Sequence, residues 1–343
     1  MDAISICPTC SRKYGAGTGF CDLDGSKLIS LGDTKPRIQQ DEFKLLLHPT
    51  EHSRFILALL VSIPAAIIAV VLVFASFGLL LVYVGLITFS VWFGLSIAKA
   101  NLMANSVRVS EKNFPAIHEV AMEVKYTLDY QKAIDIYIIE EGSVNAFLAK
   151  FFQTKFIVLN SELVKDMLDN GKLVQMKWII ARFVGALKAK HFRLDLLRIV
   201  IDSIEKIKIF NLLILPYERA MQYSGDQIGL AVCNDLNQAM TAFDKFMVGN
   251  DLAHRVEFQG LVEQAIDVRD SFFATLARLF STHPHMVSRY LNLLAFARWR
   301  YPRMFDKYIA QFDGVASSNI NAILPNYTYD FSGQQELQSE EKI

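Results

Sequence analysis

The chain has 343 residues, of which 52% are hydrophobic, and it carries 35 basic and 35 acidic residues. This length suffices for about two domains of ordinary size. The balanced charge provides no field that would attract nucleic acid, so we expect no nucleic-acid partner, and the high apolar content indicates that part of the chain lies in lipid.

The first 30 residues predict a small zinc-ribbon-like module. Cys7 and Cys10 form a CxxC pair, which presents two thiolates to one ion, and Cys21 follows. Asp24 stands where a second CxxC would have its last cysteine, so a structural zinc site of Cys7, Cys10, Cys21 and Asp24 is expected. The module resembles short bacterial ribbons that end in FCxxDG. A ribbon without metal and a redox-sensitive thiol cluster are the alternative interpretations.

A polar linker is predicted over 31–53, and it is followed by an uncharged run of 44 residues over 55–98. One helix needs about 20 apolar residues to cross a bilayer, so the segment 54–99 predicts two transmembrane helices, over 55–75 and 78–98. Lys and Arg flank both ends, which places both flanks in the cytosol by the positive-inside rule. The alternative is a buried helical hairpin of a soluble protein.

The remaining part, 100–325, predicts one folded domain of the α+β class that is mainly helical. Apolar residues have helical spacing over 114–129 and 172–190, and strands are expected over 133–139 and 155–159. A helix is expected to begin near Ser161. The apolar stretch over 197–215 contains charged residues, so we expect it to be buried or to lie at a membrane surface. The polar tail over 326–343 predicts disorder.

Several separated motifs of this domain occur in the order found in zinc metallopeptidases of the HtpX and CAAX-prenyl-protease kind. They are the NAF signature (Asn145, Ala146, Phe147), a strand through Ile157 that matches the active-site edge strand, a Glu-x-x-Ala-Asp-like segment ending at Asp226, and a THP segment (His283) followed by Arg289. The chain therefore resembles this family. The resemblance implies a zincin domain behind a transmembrane hairpin, located in the cell inner membrane and active in protein quality control.

The same resemblance implies that the catalytic site is lost. The family's HExxH helix supplies two zinc-binding histidines and a glutamate base, and the third ligand is the Glu of Glu-x-x-Ala-Asp. In the matching register the two histidines, the base and the third ligand are replaced by Arg182, Ala186, Phe183 and Gln222. His191 falls where many members keep a further histidine. Asp226 is expected to keep a hydrogen-bonding or helix-capping role, and no catalytic zinc is expected.

The prediction is a membrane-anchored, inactive homologue with the lipid bilayer and a peptide or protein as partners. The partner could be a membrane protease or another membrane protein, bound in the former substrate cleft. The strand over 155–159 would offer main-chain hydrogen bonds to an extended peptide. Two alternatives stay open: a zinc endopeptidase with a rebuilt metal site, and an adaptor that docks a protein through the ribbon.

Overall fold

The computed structural model describes residues 5–7, 12–15, 18–23, 25 and 28–30 near the N-terminus, and then 37–151, 154–191, 211–281, 283–312, 320 and 323–325. Several sequence predictions lie outside the described residues. These are the ligands Cys10 and Asp24, the first part of the linker, most of the stretch over 197–215 and the tail over 326–343.

The described residues are mainly helical with two small sheets. The helices are α1 (Gln40–Leu45), α2 (Glu51–Ala75), α3 (Leu79–Ala104), α4 (Pro115–Thr127), α5 (Ser161–Asp169), α6 (Leu173–Lys188), α7 (Asn211–Cys233), α8 (Leu236–Val248), α9 (Phe258–Asp270), α10 (Phe272–Phe280), α11 (Met286–Arg300) and α12 (Pro302–Ile309). The strands are β1 (Ser5–Ile6), β2 (Lys13–Tyr14), β3 (Ile29–Ser30), β4 (Val107–Arg108), β5 (Asp135–Ile139), β6 (Ala146–Phe151) and β7 (Thr154–Asn160).

The N-terminal module contains a three-stranded antiparallel sheet in the order β2-β1-β3. Cys7, Cys21 and Leu28 form its small buried cluster, with Tyr14 packed against it. So few buried side chains provide little apolar stabilisation, which is typical of modules that depend on a metal ion.

Two long helices, α2 and α3, follow the predicted linker. They are joined by a tight turn in which Phe77 and Gly78 have positive φ, and the Gly78 amide donates back to the Val73 carbonyl at 3.1 Å. In the part of the chain that the structure describes, one helical segment, Leu81–Ala104, is long and apolar enough to cross a membrane. Its mean hydropathy is 2.0 and none of it is buried.

The second half of the predicted linker is packed on the large domain. Phe43 and Leu46 are almost fully buried, and Ile38 belongs to the same core. The amide of Ile38 also donates to the Thr127 carbonyl of α4 at 2.9 Å. Residues 37–53 are therefore a folded connection between the helix pair and the domain, and they place His48 and Glu51 in buried positions against the domain.

The larger sheet has the strand order β4-β5-β7-β6. The strand predicted over 155–159 is present as β7, but it pairs with β5 in parallel and with β6 in antiparallel orientation. The prediction that this strand is the edge strand was wrong, and Ile157 is fully buried. The physical reason is visible in its sequence: Phe156 to Leu159 are all apolar, as expected for a strand covered on both faces. β6 is the edge strand, and it contains Ala146 and Phe147.

Candidate functional site

Three charged side chains from three helices meet inside the large domain. Arg182 of α6 lies with Nε 2.6 Å from Oδ1 of Asp226 on α7. Arg289 of α11 donates from Nε and Nη2 to the two carboxylate oxygens of Asp226, at 2.9 and 2.8 Å. This fork geometry is the strong, bidentate form of an arginine–carboxylate pair. We call Arg182, Asp226 and Arg289 the arginine–aspartate cluster.

The arginine–aspartate cluster is almost completely removed from solvent. Asp226 is fully buried, and the side chains of Arg182 and Arg289 are 9% and 10% exposed. The guanidinium of Arg182 lies over the Trp178 ring at 4.9 Å, and that of Arg289 over the Phe243 ring at 5.1 Å. Burial lowers the pKa of Arg182 to about 10, against the opposing attraction of Asp226. Arg182 therefore stays charged at neutral pH, and the side chain of Asp226 lies between two guanidinium groups.

Helices α6 and α7 can approach closely because glycines stand at their contact. A Cβ atom on Gly229 would lie 2.7 Å from Cδ1 of Trp178 and 2.9 Å from Cγ of Arg182. A Cβ atom on Gly225, one turn earlier, would meet its nearest atom at 3.7 Å, an ordinary contact distance. The side chain of Arg182 therefore packs directly against the backbone of α7 at Gly229.

Gly229→Ala is expected to destabilise the protein by about 1–3 kcal/mol, because the added methyl group has no space beside Trp178 and Arg182. Gly225→Ala is the matched control in the same helix, and it is expected to be neutral or slightly stabilising, since alanine favours a helix over glycine. Thermal unfolding of both variants under the same conditions measures the difference. Equal melting temperatures for the two variants would contradict this account of the contact.

The seam between α6 and α7 carries the positions at which the sequence comparison expected a lost metal site. Phe183 and Ala186 follow Arg182 along α6, Gln222 precedes Asp226 by one turn of α7, and all three are half-buried. Zinc is bound by thiolate, imidazole or carboxylate, none of which these three side chains provide. Asp226 is the carboxylate nearby, and it is occupied by two guanidinium groups. The residues of this seam do not fit a catalytic zinc ion.

No group of three His, Cys, Asp or Glu elsewhere among the described residues is arranged to hold a metal.

A second buried polar cluster joins the start of α2 to α7. The imidazole Nε2 of His191 lies 3.0 Å from a carboxylate oxygen of Glu51, and the Ser224 hydroxyl donates to the other oxygen. The backbone amide of His48 donates to the same hydroxyl at 2.8 Å, and the Thr50 hydroxyl lies 2.9 Å from Nδ1 of His48. We call these five residues the Glu51 cluster. It fixes the base of α2 to the domain.

Burial and charge shift the acid–base properties of the Glu51 cluster. Burial, together with the charge of Arg54, lowers the pKa of His48 to about 3, so its ring is neutral near pH 7. For Glu51, burial alone would raise the pKa, but the hydrogen bonds and charges of its neighbours outweigh burial and lower it. The pair of a neutral His48 and an ionised Glu51 is therefore the stable form at neutral pH.

The depressed pKa of His48 predicts a loss of stability in mild acid. In the unfolded chain this ring takes up a proton below the ordinary histidine pKa of 6.5, whereas the folded protein keeps it neutral down to about pH 3. Stability thus falls as the pH drops below 6.5, by about 3 kcal/mol at most at pH 4. The reference is His48→Asn, which keeps an acceptor but does not titrate, with unfolding of both proteins measured from pH 7 to pH 4.

The comparison with His48→Asn removes the effect of titrating groups that do not interact with His48. Burial raises the pKa of Asp244 to about 7, which makes the folded protein more stable as the pH falls, the opposite sign. That contribution is common to both proteins and cancels in their difference. A difference that stays constant between pH 7 and pH 4 would contradict the prediction.

The edge strand β6 lies beside α6. Asn145 precedes it, is exposed, and accepts a hydrogen bond at 2.8 Å from the Ala146 amide through its own side-chain oxygen. The Asn160 amide donates to the Asn145 carbonyl at 3.0 Å, so this pair is hydrogen-bonded between the strands. Hydrogen-bonded and non-hydrogen-bonded residue pairs alternate along an antiparallel pair of strands. The N–H and C=O groups of Ala146 and Leu148 therefore point away from β7. Among the described residues no strand pairs with that side of β6.

The other sequence-predicted positions are spread over the structure. Ile157 belongs to the buried core below the sheet, and His283 is exposed between α10 and α11. Cys7 and Cys21 are buried in the N-terminal module, and the Tyr14 hydroxyl lies 3.0 Å from the Cys21 sulfur. Asp226 lies inside α7 and pairs with arginines, so its expected hydrogen-bonding role is observed and the helix-capping alternative is wrong.

Sequence reasoning missed the Glu51 cluster and the direct pairing of Arg289 with Asp226. His48 and Glu51 lie in the segment predicted to be a linker. The hydrogen bond from the His48 amide to the Ser224 hydroxyl nevertheless spans 176 positions of the sequence. The one available signal is chemical: a glutamate at the start of a long apolar run is costly unless it has partners. His191 is its partner, on the helical turn that follows α6.

The comparisons with known proteins assign the chain to a family. A search of curated proteins and a search of solved structures each found no match. A scan against protein-family models matched residues 111–297 to Peptidase family M48. The matched region includes β5 to β7, α6, α7 and all three members of the arginine–aspartate cluster, and it covers more than half of the sequence. The chain therefore belongs to Peptidase family M48.

Proposed function

We propose that this chain is a membrane-anchored M48 protein that has lost peptide hydrolysis and instead binds extended peptide segments in the cleft between β6 and α6. The observation that carries the proposal is the buried pairing of Arg182 with Asp226. A permanent guanidinium charge at this place opposes a divalent cation, and Asp226 has no free oxygen to attract one. Without a metal ion and a base, a bound peptide is held and not cut.

The resemblance of the motifs to those of the HtpX-like kind supports this proposal. In the register that the motifs imply, Arg182 and Ala186 stand where the family has its two zinc-binding histidines, Phe183 stands at the base and Gln222 at the third ligand. Positions 182 and 186 are one helical turn apart on α6, and 222 and 226 are one turn apart on α7, so the four can face one seam. The contact between Arg182 and Asp226 agrees with that register.

Peptide capture would use the open side of β6. An extended chain that adds to this edge would hydrogen-bond to the outward-facing backbone groups of Leu148, and side-chain pockets along α6 would select its sequence. Leu148 and Phe183 are half-buried and pack on the same core, so apolar surface is available between β6 and α6, whereas Phe147, which is 38% exposed, pairs with Val158 on the other face of the sheet. We propose unfolded segments of membrane proteins, or a membrane protease that processes them, as partners.

Membrane anchoring is part of the proposal. Helix α3 has the length and hydropathy of a transmembrane helix, and α2 contributes a second span before it, over about 55–75. Arg54 and Lys99 bound the uncharged run, which favours a cytosolic position for both flanks in the cell inner membrane. The N-terminal module would bind a structural zinc ion through Cys7, Cys10, Cys21 and Asp24.

Binding without cleavage tests the proposed function. The probe is fluorescein-labelled, reduced and carboxymethylated lactalbumin, which stays unfolded, mixed with the full chain in detergent. Leu148→Pro removes the outward amide of β6, a change that an edge strand tolerates, and is expected to weaken binding about three- to tenfold. Leu148→Ala is the matched control, because it loses the side chain and keeps the amide.

Two results would contradict the proposal. Equal affinities of Leu148→Pro and Leu148→Ala for the probe would show that the edge of β6 does not bind it. Cleavage of the probe that stops on addition of a chelator would favour the alternative of an active zinc endopeptidase with a rebuilt site. Fluorescence anisotropy and gel electrophoresis of the same samples distinguish these results.

A further inference from the structure

Helix α10 exposes a continuous apolar face. Five large apolar side chains lie on one side of this nine-residue helix, within an arc of about 120° at 100° per residue. They are Phe272 (72% exposed), Phe273 (77%), Leu276 (38%), Leu279 (52%) and Phe280 (62%). Ala274 and Arg278 lie opposite this face, and Thr275 and Ala277 lie on its two flanks. No residue of α10 is buried within the described part of the chain. An apolar patch of this kind marks an interaction surface in a soluble or peripheral domain.

The C-terminal end of α10 is fixed at the base of the membrane helices. Arg219 of α7 donates to the carbonyls of Arg278 and Ser281, both at 2.9 Å. One turn earlier in α7, the Pro216 carbonyl accepts a hydrogen bond at 3.2 Å from Arg54. Arg54 is the last charged residue before the uncharged run of α2. Through these contacts α10 lies at the level at which α2 would enter the bilayer.

Positive charge is concentrated at the same place. Burial and the repulsion of nearby Arg54 and Arg278 lower the pKa of Arg219, partly offset by Tyr223 and Glu218. Arg54 and Arg278 are thus close to the buried Arg219 where the apolar run begins, and of the three only Arg54 and Arg278 reach the surface. Anionic phospholipid head groups are the complementary partner for such a cluster, since each basic residue near the surface attracts them.

We propose that the apolar face of α10 lies in the interfacial region of the cytosolic leaflet, with Arg54 and Arg278 at the phospholipid head groups. This inference rests on the membrane anchoring proposed above. An amphipathic helix that lies in the membrane plane buries one apolar face below the head groups and keeps its other side in water. Together with α2 and α3, α10 would give the domain a third membrane contact and a fixed orientation towards the bilayer.

Tryptophan quenching by brominated phospholipids tests the position of α10. The full chain is placed in vesicles of phosphatidylcholine and phosphatidylglycerol, with bromine on the acyl chains. Phe273→Trp puts a tryptophan on the apolar face, and Thr275→Trp puts one on the exposed flank of the same helix, about 100° from the centre of that face. We expect most of the added emission of Phe273→Trp to be quenched by bromolipid, and that of Thr275→Trp to be quenched by aqueous acrylamide instead.

Two outcomes would overturn the proposal. Quenching of the tryptophan at 273 by acrylamide and not by bromolipid would place it in water. Protection from both quenchers would mean that protein covers the face, either a second copy or another segment of the chain. The native Trp92 in α3 reports separately on anchoring. Its emission is the difference between the parent and Trp92→Phe, and we expect bromolipid to quench that difference. If it does not, the membrane anchoring fails, and not only the placement of α10.

Discussion

Replacing Asp226 with Asn is expected to destabilise the protein by about 3–5 kcal/mol, because two buried guanidinium groups lose the carboxylate with which both of them pair. An amide of the same shape still accepts hydrogen bonds, but it does not compensate two positive charges. Both arginines are almost fully buried, so water cannot replace the lost partner. A shift of the thermal unfolding midpoint of the full chain in detergent measures the effect.

The matched comparison is Arg182→Met. This change removes one of the two cations, while Asp226 keeps both of its hydrogen bonds to Arg289. It also relieves the desolvation that dominates the pKa shift of Arg182, and methionine fills a similar space beside Trp178. We expect the stability of Arg182→Met to remain within about 1 kcal/mol of the parent. A larger loss for Arg182→Met than for Asp226→Asn would contradict the assignment of Asp226 as the centre of the cluster.

Local patterns predicted the helix that carries Arg182 well. Apolar spacing indicated a helix over 172–190, and α6 runs over Leu173–Lys188. The strands over 133–139 and 155–159 and the helix from Ser161 are likewise present as β5, β7 and α5. In each case the side-chain period within ten to twenty residues determines the element, and no distant partner is needed.

The order of strands in the sheet could not be read from the same patterns. Strand β6, with the sequence Ala146 to Phe151, has no clear alternation, and its place is fixed by pairing with β7. Which strand lies at an edge depends on partners from elsewhere in the chain, and the periodicity of one strand does not contain that information. The uninterrupted apolar sequence of β7 was the signal for an interior strand.

Charged contacts over long separations were also invisible in the sequence. Glu51 and Ser224 are 173 positions apart, and Asp226 and Arg289 are 63 apart. A motif shows which residue types are present, whereas the fold decides which of them meet. The motif comparison did draw attention to Arg182, Asp226 and Arg289 individually, because each departs from or keeps a family position. Their joint role as one buried ion cluster required the structure.

Restoring the four lost positions together is expected to restore a metal site. In Arg182→His/Phe183→Glu/Ala186→His/Gln222→Glu, two histidines one turn apart on α6 would face a glutamate on α7, which is the ligand set of a catalytic zinc centre. Removal of Arg182 takes away the opposing charge, and Asp226 remains held by Arg289. The expected gain is one zinc ion per chain, measured by elemental analysis after dialysis against a weak chelator.

The N-terminal module must be controlled in the same measurement. Cys7→Ser/Cys10→Ser is expected to remove the structural zinc from the parent, because two of the four proposed ligands are lost. In that background the parent should hold no zinc, and the fourfold variant should hold one ion through the rebuilt seam alone. Zinc retained by Cys7→Ser/Cys10→Ser, together with peptide cleavage that a chelator stops, would mean that the domain binds a catalytic ion despite Arg182. In that case the guanidinium would have to leave Asp226, and the cluster that now stabilises the fold would be a closed state of an active site.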